Sequence, residues 1–323
     1  MYIQEKVNWD DEVDRNLAHL RTLGVDYIAI NQKGLTDALS TSEKAIDFFK
    51  KAKVTVLAHG MQLRTIISTG LTEVMKGTPA RDQEIDSLLT VLEAMGTAEI
   101  PILAYNFKFL TSNLMRSQPT NGRGAATYIS FDYEEYLKKP APAVDPPIPE
   151  QKMWDNLAYF LKAVIPAAEK ANVRMALHPD DPPVPSGTPA LAGAAHIVST
   201  FDQYRRIFDL APSPSNGMLF CQGCVKEMQG VNVYDAIRQI GSLNKIVAVH
   251  FRNVRGSFPK FQETFVDDGD VDMYRAMRAY RDVGFKGPFA VDHSPAFPDS
   301  HIANQAFVIG YMRGLIHAVY REQ

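Results

Sequence analysis

The chain has 323 residues, 46% of them hydrophobic and 22% charged, an ordinary globular composition long enough for two domains or one large α/β barrel. A formal charge of −3 leaves no basic footprint for nucleic acid or an anionic membrane. Only two cysteines, Cys221 and Cys224, exclude a disulfide framework and fit a reducing compartment; with no signal peptide and no run of ~18 apolar residues, a cytoplasmic protein without membrane partners is expected.

In chain order, short β-rich runs alternate with longer amphipathic segments. The runs read as strands over Tyr2–Lys6, Val25–Ile30, Val54–His59, Ile100–Asn106, Val173–His178, Gly217–Gln222, Lys245–Phe251 and Phe289–His293. Helical patterns cover Ala45–Lys53, Asp82–Met95, Gln151–Ala171, Thr200–Leu210 with Thr200 as N-cap, Val233–Ile240, Val271–Gly284 and Ile302–Tyr320. Several strands are nearly continuous apolar runs, as in a parallel sheet covered on both faces. Eight such units predict a single-domain α/β fold, a (β/α)8 TIM barrel over residues 1–323, in preference to an open doubly wound sheet. Leu110–Glu150, ending in a proline-rich stretch, reads as a long insertion after strand four that crosses the barrel mouth. Asp270 reads as the cap of the helix from Val271.

The chemistry gathers at strand ends. The fifth run ends at His178, the sixth carries Cys221, the seventh His250 and the eighth Asp292, separated by 43, 29 and 42 residues. In a barrel the C-terminal ends of neighbouring strands converge on one mouth, so these four groups would face a common point. Alone, each has a plainer role: a hydrogen-bonded histidine, a small buried thiol, a helix cap. Together they predict a divalent-metal site, and two imidazoles, a carboxylate and a thiolate suit Mn2+, Fe2+ or Zn2+ better than Ca2+. Cys221-x-x-Cys224 suggests a thioredoxin-like redox pair or half a zinc knuckle, but the knuckle needs a second pair and a redox pair belongs at a helix N-terminus near the chain's start, so Cys224 reads as incidental to the site.

Other polar groups read as lining the same rim. His293 follows the ligand aspartate, and His59, Asp181, Tyr128 and Tyr133 are further candidates for proton transfer. Strand alternation would point His293 away from Asp292 unless the backbone bends there. Asn31, Tyr105, Asn106, Arg116 and Arg252 are candidates for holding substrate, the two arginines because cations beside a metal suit an anionic, hydroxylated ligand such as a sugar acid.

These residues also carry a family likeness. His178 to Pro183 (His-Pro-Asp-Asp-Pro-Pro), His196 to Thr200, Phe220 to Gly223, His250 to Asn253, Gly269 to Tyr274, Val291 to His293 and Tyr105 to Phe107 resemble the D-mannonate dehydratase family, most strongly from about residue 170 onward. The resemblance implies a xylose-isomerase-like TIM barrel holding Mn2+, or alternatively Fe2+, Mg2+ or Zn2+, on His178, Cys221, His250 and Asp292. It implies a lyase that removes water from D-mannonate to give 2-keto-3-deoxy-D-gluconate, and a homo-oligomer. Two features depart from the family. Its His-His-Ile-Pro-x-Gly segment is replaced by Ile30 to Gly34 (Ile-Asn-Gln-Lys-Gly), and its catalytic tyrosine position is Ala306 here. The metal site would equally serve a sugar isomerase or epimerase, or β-elimination from a keto-glycoside. The departures alone would suit a non-catalytic sugar-binding paralogue.

Overall fold

The computed structural model describes residues 1–323 apart from 69, 110–114, 296, 298–300 and 323; the first residues of the expected insertion, 110–114, thus lie outside the described part. The chain opens with β1 (Tyr2–Asn8), α1 (Val13–Thr22), β2 (Tyr27–Asn31), α2 (Ser42–Ala58), β3 (Gln62–Ile67), α3 (Thr72–Lys76), α4 (Arg81–Thr97) and β4 (Ile102–Tyr105). An excursion follows, with β5 (Thr120–Asn121), β6 (Thr127–Asp132) and α5 (Tyr133–Lys138), before α6 (Glu150–Lys170), β7 (Arg174–Leu177), α7 (Phe201–Leu210), β8 (Asn216–Cys221) and the short α8 (Gln222–Glu227). Next come α9 (Val233–Ser242), β9 (Ile246–Phe251), the hairpin β10 (Asn253–Ser257) and β11 (Lys260–Thr264), α10 (Met273–Asp282), β12 (Pro288–Val291) and α11 (His301–Arg321).

Eight strands close into a barrel in the order β1-β12-β9-β8-β7-β4-β3-β2, every neighbouring pair parallel. Period-two alternation divides their side chains. Small or slender residues, among them Ala104, Ala176, Leu219 and Ala248, fill the interior. Leu103, Met175, Leu177, Phe220, Val249, Phe251 and Phe289 pack outward in the larger core shared with the helices, as a barrel with a packed lumen requires. Thr200 caps α7 by accepting the Gln203 backbone N–H at 3.2 Å. Thr200→Ala removes that acceptor and is expected to lower stability by about 1 kcal/mol in a denaturant titration.

The third run differs from the sequence expectation. Val54 to Ala58 form the last turns of α2, and the strand is β3, Gln62–Ile67. The β-branched residues of that run mimic a strand, yet Val54 and Leu57 are 69% and 65% exposed while Val56 is buried. Ala45, Phe49, Ala52 and Val56 supply one buried helical face, at spacings of three and four residues. Gly60, at φ 73°, turns the chain toward β3. His59 is consequently the C-cap of α2 ahead of β3, at the end of the barrel opposite the mouth, where its Nε2 lies 2.9 Å from Asp14 of α1. It is not a rim residue. The helix α1, which ends just ahead of Gly24, buries only Leu17 and Leu20.

The excursion after β4 has structure of its own. β6 pairs antiparallel with β11, the order of this second sheet being β10-β11-β6-β5. It thus joins the segment following β4 to the segment following β9, on the side of the barrel where the strands end. The aromatic cluster of Phe131, Tyr136, Phe258 and Phe261 holds it together. The cap of α10 is Asp272, which accepts the Arg275 N–H at 3.0 Å. Asp270 does not cap a helix; it accepts the Gly256 N–H at 2.8 Å and pairs with Lys226.

Candidate metal centre and active site

The register of the barrel sets four side chains at one level. Cys221 at the end of β8 lies opposite His250 on β9. On the other side of β9, His250 pairs with Ala290, so Asp292, two residues on, points inward just past the end of β12. His178 follows β7, whose last residue pairs with Tyr105. Ligand-capable atoms of His178, Cys221, His250 and Asp292 all lie within 4.8 Å of one another. Cys221 Sγ is 3.2 Å from Asp292 Oδ2, His250 Nδ1 is 3.6 Å from Asp292 Oδ1, and the two imidazole rings are 5.2 Å apart.

The chemistry of this donor set fits a transition-metal ion. His178 Nδ1 sits 2.6 Å from the Pro179 carbonyl, which orients the ring and leaves Nε2 for a ligand. His250 Nδ1 is buried with no hydrogen-bond partner among the described residues, a costly arrangement for a polar atom unless something binds there. Burial, together with the positive charge of Lys108, holds His178 well below the usual imidazole range, and burial pushes His250 down to about 4. Both rings are therefore neutral donors. Burial alone would raise the Asp292 carboxyl, but His293, His250 and Arg252 outweigh it and hold the group well below the ordinary carboxylate range.

Beside these four groups lies a buried ionic network. Arg252 is wholly buried. Its Nη2 donates to Glu227 at 2.9 Å, its Nη1 lies 3.0 Å from Glu263 and 3.5 Å from Asp181, and its Nε lies 3.3 Å from Asp292. Arg116 Nη2 reaches both Asp181 and Glu263 at 2.5 Å. Two guanidinium groups thus face four carboxylates, Asp181, Glu227, Glu263 and Asp292. Two further acidic groupings, Asp181–Glu263–His293 and Asp181–Cys224–Glu227, each have a guanidinium of this network among them, and their charge is already countered.

His293 sits at the edge of the network. The strand ends at Val291, so the alternation that would turn His293 from Asp292 no longer applies. Its Nδ1 lies 3.0 Å from Glu263 Oε2 and its Nε2 3.9 Å from Asp292 Oδ1. The ring keeps 32% exposure, whereas Asp181 and Glu263 are sealed in.

Other sequence candidates are placed differently. Tyr105 faces outward, 1% exposed, with its ring 5.7 Å from Phe160 of α6, because the inward positions of β4 are Ile102, Ala104 and then Asn106. It cannot hold substrate. Arg252, fully buried and faced by Asp181, Glu227, Glu263 and Asp292, is likewise placed as a support and away from substrate. Tyr128 is buried on β6 and donates its hydroxyl to Asp268, and burial raises its pKa. Tyr133 donates to the Pro189 carbonyl at 3.2 Å. Asn106 is exposed beyond β4, and Asn31, at the end of β2, accepts the Lys33 N–H at 3.0 Å. Arg116 is mostly buried, yet among the described residues its Nη1 has no hydrogen-bond partner.

The sequence reading missed Lys6, Glu227 and Glu263. Gln4 accepts the Thr65 hydroxyl at 2.8 Å inside the barrel; the same alternation puts Lys6 on the inward face of β1, where its charge helps depress His250. That alternation was a usable signal. Glu227 and Glu263 had none, since α8 and the β10–β11 hairpin were not foreseen.

Residues 143–323 match the family model of D-mannonate dehydratase (UxuA), more than half of the chain. This chain belongs to the D-mannonate dehydratase family. The mannonate dehydratase of Brachyspira hyodysenteriae is 29% identical over 314 residues, covering 84% of this chain and 85% of that protein. Mannonate dehydratase 2 of Halalkalibacterium halodurans is 27% identical over 293 residues, covering 81% and 84%. The crystal structure of mannonate dehydratase from Streptococcus suis serotype 2 superposes with a TM-score of 0.83 at 24% identity, over 100% of this chain and 95% of that one. An L-ribulose 3-epimerase structure follows the same fold, with a TM-score of 0.64 at 13% identity over 99% and 96%. The xylose-isomerase-like TIM barrel expected from the motifs is the fold of this family member. Among the described residues, no helix is long and apolar enough to cross a membrane.

Proposed function

We propose that this protein is a metal-dependent lyase that removes water from D-mannonate, giving 2-keto-3-deoxy-D-gluconate. The observation that carries the reading is the convergence of two neutral imidazoles, a thiol and a carboxylate within 4.8 Å in a chain of the D-mannonate dehydratase family. His178, Cys221, His250 and Asp292 would hold a divalent ion, with Mn2+ the ion proposed. When bound, that ion supplies electrostatic stabilisation for negative charge developing on the substrate's oxygens.

The protein's own groups supply orientation and proton transfer. The unpartnered Nη1 of Arg116 and the exposed amide of Asn106 are proposed to hold substrate oxygens. His293 is proposed to handle the proton. His293 Nδ1 lies 3.0 Å from both Glu263 Oε2 and Arg252 Nη1; in the tautomer that donates Nδ1–H to Glu263, Nε2 is the free nitrogen turned to substrate. In the elimination the C2–H bond breaks, its electron pair forms the C2–C3 double bond, and the C3–O bond breaks. His293 Nε2 accepts the C2 proton and returns it to the departing hydroxyl, which leaves as water; the enol then becomes the 2-keto acid. A single imidazole serving both transfers accounts for alanine at position 306. Asp181, Tyr128 and Tyr133 are not needed for it, since each is engaged elsewhere.

The test is incubation of Mn2+-loaded protein with D-mannonate and assay for a 2-keto-3-deoxy acid. Formation of that product is expected, and its absence with metal bound overturns the proposed activity. Asp292→Asn and His178→Ala are each expected to reduce bound metal from stoichiometric to a small fraction by elemental analysis, since losing one of four protein donors weakens such sites severely. Full metal retention by both variants would discard the ligand set. A cytoplasmic location and a homo-oligomer belong to the same reading, the former supported by two cysteines that are free thiols.

A further inference from the structure

Cys224 takes no part in the mechanism above, yet its Sγ lies 3.0 Å from Cys221 Sγ. Cys221 is the residue before the first turn of α8 and Cys224 lies within that turn, which brings the two side chains to the same side. A disulfide needs the sulfurs to close by about 1 Å more. The same guanidinium serves both: Arg252 Nη2 is 3.2 Å from Cys224 Sγ and 3.7 Å from Cys221 Sγ. Burial raises both thiols above their ordinary range and the guanidinium opposes that shift, so the pairing rests on the closeness of the two sulfurs. Both cysteines are free, and they are the only two in the chain.

We propose that Cys221 and Cys224 form a reversible disulfide under hydroperoxide, and that this bond and the metal compete for the Cys221 sulfur. The Cys221 thiolate attacks the peroxide O–O bond, becoming a sulfenic acid as one water equivalent leaves. Cys224 Sγ then displaces the sulfenic hydroxyl as a second water. Two thiols and one hydrogen peroxide become one disulfide and two waters, the sulfurs oxidised and the peroxide reduced. In the disulfide the Cys221 sulfur has no thiolate pair to give a cation, so the site keeps only His178, His250 and Asp292. A bound metal, conversely, occupies that electron pair and shields it from peroxide. The competition rests on the ligand set proposed above; the disulfide itself does not.

The experiment treats the full-length metal-free protein and the Mn2+-loaded protein with hydrogen peroxide. It follows intact mass, free-thiol count and bound metal. The metal-free protein is expected to lose both thiols and 2 Da as a monomer, to lose stoichiometric Mn2+ uptake, and to regain both on reduction with dithiothreitol. Mn2+ loading is expected to slow the loss of thiols by at least about tenfold. Cys224→Ser, which keeps every proposed ligand, should still take up Mn2+ but gain oxygen on Cys221 instead of losing 2 Da. Unchanged thiols in the metal-free protein, or oxygen adducts without the 2 Da loss, overturn the pair. Disulfide formation that leaves Mn2+ uptake intact overturns the competition and removes Cys221 from the ligand set, while the dehydratase reading stands or falls on its own product assay.

Discussion

Arg252→Ala is expected to destabilise the fold by about 3–5 kcal/mol, the cost of stripping the partner from buried charges. Glu227 and Glu263 are wholly buried and Asp181 nearly so, and the guanidinium of Arg252 touches all three. Removing it leaves carboxylates that water cannot reach, and Arg116 can compensate only on the side of Asp181 and Glu263. Glu227, whose carboxyl burial holds well above the ordinary carboxylate range, would lose its guanidinium donor. The measurement is a denaturant titration, with Arg252→Lys as the companion. An ammonium keeps the charge but cannot bridge several acceptors in the fixed fork of a guanidinium, so this variant should fall between alanine and the parent. A loss below about 1 kcal/mol for Arg252→Ala, the range of exposed ion pairs, would mean that the network does not act as a unit.

His293→Ala is expected to lower kcat for dehydration by about 10²–10⁴-fold, the usual contribution of a positioned acid–base group. Bound metal should stay stoichiometric, because the ring lies outside the four proposed ligands. The companion variant is Glu263→Gln. It keeps an acceptor near Nδ1 but removes the charge that orients the ring, so it should lower kcat by less than His293→Ala while leaving KM nearly unchanged. Exchange of the C2 hydrogen with solvent offers a second readout. If His293→Ala still exchanges that hydrogen at the parent rate, another group removes the proton.

Much of the architecture could be read from residue pattern alone, for a physical reason. Parallel strands buried on both faces must be continuous apolar runs, and His178, Cys221, His250 and Asp292 stand out because each is a polar or reactive residue at the end of such a run. Where pattern failed, two structures shared one signature. Val54 to Leu57 are β-branched or apolar in sequence, yet only Val56 is buried, and helical spacing from Ala45 onward decides the segment. Tyr105 was misplaced by proximity to Asn106, although adjacent residues on a strand face opposite ways. The ionic network was only half visible, for a different reason. Arg116, Arg252 and Asp181 read as rim residues, but Glu227 on α8 and Glu263 on β11 did not, because the placement of Glu263 beside Arg116 depends on pairing between segments more than a hundred residues apart in the chain, as between β6 and β11.

That pairing has a bearing on attempts to re-engineer the enzyme. Barrel catalysts are commonly diversified by exchanging one loop at a time, on the premise that each is an autonomous graft. Here the β6 and β11 ladder makes two of them a single inheritable part, with Arg116 donated by one and Glu263 by the other. A chimaera that transplants either segment without its counterpart would break the ladder and separate the ion pair. Only a joint exchange would carry a new specificity intact.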